Sequence, residues 1–164
     1  MERDDLLQNV IRQEAQDRHD AHKDHASSRP LSDNYELIGL LGEVEFGKLS
    51  GQMVDLERRL DGDKGIDFVV RLNFSVDVKT ARKAYHLIHE AGKNFADIYV
   101  LAQYDDETKT TELLGWEWGA VLARAPVKDF GYGIKNHYIP ADKLKPMSDL
   151  MRRMSRYGQF SPVK

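Results

Sequence analysis

The chain has 164 residues, 41% of them hydrophobic and 31% charged, which fits one globular domain and excludes a disordered polyelectrolyte. Its 24 basic and 27 acidic side chains give a net charge of −3, so an all-over basic coat for nucleic acid is excluded while a local basic patch is not. The absence of cysteine excludes disulfide scaffolds, thiolate zinc sites, iron–sulfur clusters and cysteine nucleophiles.

The first residues, Met1-Glu2-Arg3-Asp4-Asp5, lack the basic and apolar regions of a signal peptide. No apolar run approaches the roughly 18 residues of a membrane helix, so the expectation is a cytoplasmic protein without a membrane partner. Leu6, Leu7, Val10 and Ile11 have helical spacing, and the polar stretch after them reads as the rest of an N-terminal helical arm over residues 1–30. His19, His22 and His25 recur there beside Asp20 and Asp24 and read as a solvated face. Residues 31–164 then form a single domain. Asp33 and Glu36 make a capping box for a second helix running to about Leu49. That helix is apolar on most sides and so largely buried, with Gly39, Gly42 and Phe46 on one face suited to close contact with a sheet.

After the turn signal Gly62-Asp63-Lys64-Gly65, the segments IDFVVRL and SVDVKTA read as an antiparallel hairpin joined at Asn73. Residues 82–94 read as a helix or a helix plus loop. ADIYVLAQY and TELLGWEW are strands at about 97–104 and 111–118, joined by a polar turn, and residues 147–157 are a final short helix. The region 119–147 is mixed, punctuated by prolines. The expected fold class is α/β, a mixed central β-sheet flanked by helices with an extra N-terminal helix.

The residues with chemical content are Asp67, Asp77 and Lys79. Alternation along a strand points Asp77 and Lys79 to one face. A hairpin pairing 67 with 79 and 69 with 77 puts Asp67 on that face as well. Two close carboxylates repel unless a cation intervenes, and a hard divalent ion with oxygen ligands resolves the conflict. Such an ion polarises a phosphodiester and acidifies water, with Lys79 beside it to orient the nucleophile.

The string GDKGIDFVVRLNFSVDVKT resembles the PD-(D/E)XK, or restriction-endonuclease-like, nuclease superfamily. Asp67 matches its first acid, although Ile66 stands in place of the proline, and Asp77-Val78-Lys79 matches (D/E)XK in full. Gly42-Glu43 resembles the helix glutamate that many members set beside the metal, with Glu45 a competing position. The resemblance spans roughly residues 33–118. It implies a restriction-endonuclease-like core, Mg²⁺ or Mn²⁺ held by Glu43, Asp67, Asp77 and the Val78 carbonyl, and metal-dependent endonuclease cleavage of DNA. Family analogy also implies a homodimer. Arg82 and Lys83, three and four residues beyond Lys79, are the expected phosphate contacts. The alternative is a catalytically inactive nucleic-acid-binding or assembly module with the same fold.

Other features read more plainly. Trp116 and Trp118 share a strand face and suit core packing. His86 and His89 suit an amphipathic helix. The stretch from Phe130 to Tyr138 interleaves aromatics with glycines and basic residues, as either an ordinary glycine-rich loop or a DNA-contacting one. Lys143, Lys145, Arg152, Arg153 and Arg156 form the most basic stretch, read as a solvated face or as phosphate contacts.

Overall fold

The computed structural model describes Arg12, residues 35–51, 68–70 and 74–155. Helix α1 (Tyr35–Ser50) is followed by β1 (Phe68–Val70) and β2 (Phe74–Ala81). Then come β3 (His86–Glu90), β4 (Ile98–Asp105), β5 (Thr110–Trp118), the short helix α2 (Gly119–Leu122), β6 (Val127–Asp129) and β7 (Lys135–Pro140). A 3₁₀ turn at Ala141–Lys143 leads into α3 (Met147–Ser155). The architecture is mixed α/β. Of the N-terminal arm only Arg12 lies within the described residues, where it is helical and exposed. The histidines at 19, 22 and 25 and the capping residue Asp33 lie outside them.

Four strands form one sheet in the order β1-β2-β4-β5, and three form another in the order β3-β7-β6. β2 and β4 are parallel; their neighbours on either side are antiparallel. The parallel pair needs a crossover connection, and here the crossover carries β3 into the second sheet. The expected helix over 82–94 is therefore corrected to a strand. His86–Glu90 pairs along its length with β7, and Leu87 inside it is fully buried. Local periodicity cannot register a partner strand some fifty residues downstream, and that long-range pairing overrides the helical reading.

Why each layer sits where it does follows from alternation. Val76, Val78, Ile98, Val100, Ala102, Trp116 and Trp118 line one face of the first sheet, with Phe46 of α1 and Leu150 of α3 packed on them. Full burial of side chains of this size stabilises by about 1.5–3 kcal/mol each. Tyr99 and Leu101 line the other face and meet Leu87 of β3, with Ile139 of β7 packed alongside. The expected flanking by long helices thus holds on one face; the second sheet, with Leu122 of the short helix α2, covers the other. An extra residue in β5 sets Leu113 opposite Ala102 and Gly115 opposite Leu101, so the bulge sends Leu113 to the helix side and Leu114 to the second-sheet side.

α1 ends at Gly51, whose φ of +71° takes the left-handed conformation that stops a helix without a Cβ penalty. The expected close approach occurs at Gly42: a Cβ there would overlap the Thr80 hydroxyl on β2 and touch Ala102 on β4. Gly39 has no such neighbour. Both tryptophans are core residues, as expected, and their rings meet edge-on at 5.1 Å.

Candidate acid–lysine site

β2 is an interior strand, hydrogen-bonded to β1 on one side and β4 on the other. Its even-numbered residues Val76, Val78 and Thr80 meet α1, so Asp77 and Lys79 project from the reverse face toward the second sheet. The Asp77 side chain is only 4% exposed, and its Oδ2 lies 2.7 Å from Lys79 Nζ, whose side chain is 38% exposed. The lysine thereby bridges a buried carboxylate and solvent. A carboxylate this deep needs a cationic partner, because desolvation of an unpaired charge is expensive.

Of the two glutamates on α1, Glu43 is the inward one, 8% exposed and adjacent to Gly42 at the point of closest helix–sheet approach. Glu45 instead pairs with Lys48 at 3.1 Å on the exposed side. The helix carrying Glu43 rests on the face of β2 opposite the one from which Asp77 and Lys79 project. Asp67 lies outside the described residues. Among the described residues no three histidine, aspartate or glutamate side chains gather as a metal site.

The hairpin register differs from expectation. Val69 stands opposite Ser75 and Val70 opposite Phe74, not Val69 opposite Asp77. Pairing about Asn73 alone would leave a single residue to reverse the chain, whereas the observed register leaves three. A shift of two preserves every side chain's face, so the shared orientation of Asp77 and Lys79 survives the correction.

Sequence reasoning missed the neighbours of this pair. Asp77 is level with Tyr99, and Tyr99 with Glu117, so these three form one row across the sheet on the same face. The Glu117 carboxylate is buried and accepts hydrogen bonds from Lys145 Nζ and from the Trp118 amide at 2.9 Å. A second acid–lysine pair therefore lies two strands, roughly 10 Å, from the first. Lys145 reaches it because its backbone bridges to Trp116 along the outer edge of β5. The only sequence signal was a glutamate between two buried tryptophans.

Above Tyr99 stands His89 of β3, with Nδ1 3.3 Å from the tyrosine hydroxyl, which also accepts the Ala96 amide at 2.9 Å. The His89 ring packs on Phe95 at 4.3 Å. Burial, followed by the Lys79 charge, holds its pKa below the usual 6.5. The reading of this histidine on a helix gave no hint that β3 would fold it over the Asp77–Lys79 face.

Arg82 forms an ion pair with Asp106 at 2.6 Å, while Lys83 is exposed. The basic C-terminal stretch is largely compensated: Lys145 by Glu117, and Arg152 and Arg153 both by Asp149, at 2.5 and 3.0 Å. Arg156 lies outside the described residues. Among the described residues no helix is long and apolar enough to cross a membrane. No family model, no curated protein and no solved structure matches the chain.

Proposed function

We propose that the chain is a Mg²⁺- or Mn²⁺-dependent nuclease that hydrolyses phosphodiester bonds in DNA, on a restriction-endonuclease-like core. The observation that carries this reading is the Asp77–Lys79 pair, a buried carboxylate and a half-exposed lysine on one face of an interior strand. Asp77, Asp67 and the Val78 carbonyl offer only oxygen donors, which fits a hard divalent cation, while Glu43 sits on the helix side of the sheet, away from Asp77. Such an ion, when bound, supplies positive charge to the scissile phosphate and a more acidic water. Asp77 anchors the site from the rigid sheet. Lys79, reaching from that carboxylate to solvent, orients the attacking water and offsets the charge that develops on phosphorus-bound oxygen. Lys83, exposed beyond the end of β2, contacts substrate phosphate together with Arg82.

A second reading rests on the ion pair itself. Lys79 Nζ occupies the carboxylate oxygen that a cation would take, as in a self-contained structural pair within a nucleic-acid-binding or assembly module. Cleavage decides between the two. Labelled supercoiled, linear, single-stranded and branched DNA are incubated with Mg²⁺, Mn²⁺ or EDTA, with Asp77→Ala and Lys79→Ala in parallel. Metal-dependent cutting that falls roughly 10²–10³-fold in both variants is the expected result. Absence of cutting, together with calorimetry showing no Asp77-dependent Mg²⁺ or Mn²⁺ binding, selects the second reading.

A further inference from the structure

The outward face of the second sheet carries chemistry that the acid–lysine site does not use. Leu87 and His89 of β3 point inward, so alternation turns His86 and Ile88 outward, and Tyr138 of β7, level with Ile88, shares that side. His86, Tyr138 and Phe130 form a triangle of rings: 5.5 Å between His86 and Phe130, 5.6 Å between His86 and Tyr138, and 5.6 Å between Phe130 and Tyr138. The two contacts made by Tyr138 are near-perpendicular, at 84° and 88°. Lys128 Nζ lies over the Phe130 ring at 5.3 Å. Among the described residues neither long helix covers this face, since α1 and α3 both pack on the far side of the first sheet.

The loop beside the triangle is held in place. The Asp129 carboxylate accepts the amides of Gly131, Tyr132 and Gly133 at 2.8, 3.0 and 3.1 Å. Gly131 and Gly133 take φ values of +105° and +75°, which the turn requires and a side chain would resist. Tyr132, 53% exposed, stands in this loop two residues after Phe130, and Tyr85, 67% exposed, immediately precedes His86. Lys83 and Lys128 are exposed along this region, against Glu90 at the far end of β3, while Lys135, level with Asp129, turns to the other side of the sheet.

We propose that this face binds single-stranded nucleic acid. Unpaired bases stack on Tyr132 and on the Phe130–His86–Tyr138 cluster, and Lys128, on the same face, takes backbone phosphate. Aromatic faces interleaved with lysine match a flexible polyanion with exposed π surfaces, whereas a duplex hides its base faces. The lysine excess supplies the charge complementarity, and the amide-pinned loop avoids an ordering cost on binding. The inference concerns binding only, and it deepens the nuclease reading by naming unpaired strands as the substrate class.

The test is fluorescence anisotropy with the full chain in EDTA, using labelled oligo-dT and oligo-rU of about 15 nucleotides and a duplex of equal length. Salt is varied, because phosphate contacts appear as a slope. Both single strands should bind at least roughly tenfold more tightly than the duplex. Tyr132→Ala, at an exposed position, and Phe130→Leu, which keeps apolar bulk without a π face, should each weaken binding about 5- to 150-fold. Lys128→Ala should lower the salt slope by about one. Equal binding of duplex, unchanged binding in the ring variants, or no binding at low salt overturns the proposal. So does a dimer that Phe130→Glu dissociates while no oligonucleotide binds. Binding without metal-dependent cutting upholds this face and removes the nuclease reading; cutting with no dependence on the rings does the reverse.

Discussion

Gly39→Ala and Gly42→Ala differ by three residues in one helix and should move stability in opposite directions. A Cβ at residue 39 meets nothing within 4 Å, so the substitution adds helix propensity alone, about 0.8–1 kcal/mol. At residue 42 the same gain is opposed by an overlap with the Thr80 hydroxyl, a 3.1 Å contact with Thr80 Cβ and a 3.4 Å contact with Ala102 Cβ. The hydroxyl can rotate away, but the two Cβ atoms are fixed to strands in the middle of the sheet. Overpacking of this kind costs roughly 1–3 kcal/mol, so Gly42→Ala should lie between neutral and about 2 kcal/mol destabilised. For a chain of this size 1 kcal/mol is about 2–4 °C in Tm. Thermal unfolding by circular dichroism should therefore show Gly39→Ala melting about 2–4 °C above wild type and Gly42→Ala at or below it. Thr80→Ala in the Gly42→Ala background should recover part of the loss, and the double-mutant cycle isolates the contact. If Gly42→Ala melts as high as Gly39→Ala, α1 does not rest on β2 at this point. The positioning of Glu43 beside the sheet then falls as well.

The remaining predictions concern charge. Lys145→Met removes the partner of the buried Glu117 carboxylate and should destabilise by about 1–3 kcal/mol, discounted from the fully buried case because Lys145 is 35% exposed; Lys48→Met, from a surface pair with Glu45, should cost no more than about 0.5 kcal/mol in the same denaturant titration. His89 has a folded pKa below its unfolded 6.5, so the unfolded chain takes up more protons as pH falls through that value, and the stability His89 contributes is present above it and lost below. Wild type should lose Tm more steeply than His89→Phe as pH falls from 7 to 5, and parallel curves would contradict the burial of the imidazole beside Lys79.

What was legible in the sequence divides by the range of the interaction. The helix over 35–50, the antiparallel pairing of β1 with β2, the strands at 98–105 and 110–118 and the final helix from 147 all carry local periodicity or turn chemistry, and each appears close to its expected place. So does the shared face of Asp77 and Lys79, which alternation alone dictates. The second sheet was not legible. β3 has a single fully buried residue, β6 is three exposed residues, and β7 contains only a short apolar stretch. β3 becomes a strand because β7 supplies its backbone partners from about fifty residues downstream, beyond any local window, and β6 and β7 close as a hairpin around residues 130–134 that carries little apolar alternation of its own. The consequence falls on the candidate site. The Asp77–Lys79 pair shares its sheet face with Tyr99, on which His89 of the second sheet packs, and the row through Tyr99 to Glu117 adds a second acid–lysine pair that no motif announced.

The unequal burial of its two members gives the pair its discriminating power. Desolvation of both charges offsets the attraction in a fully buried ion pair, so its replacement by apolar groups of similar shape is commonly neutral or stabilising. Here the carboxylate is buried and the ammonium is not, an arrangement in which the lysine spends solvation and rotamer freedom to reach inward while keeping its head accessible. Asp77→Leu with Lys79→Met therefore separates the alternatives without a substrate. If the double variant is at least as stable as wild type while Mg²⁺ raises the Tm of wild type alone, the pair was retained for the cation it can exchange for Lys79. If the double variant unfolds several degrees lower and Mg²⁺ moves neither protein, the pair holds β2 under the second sheet and serves the fold.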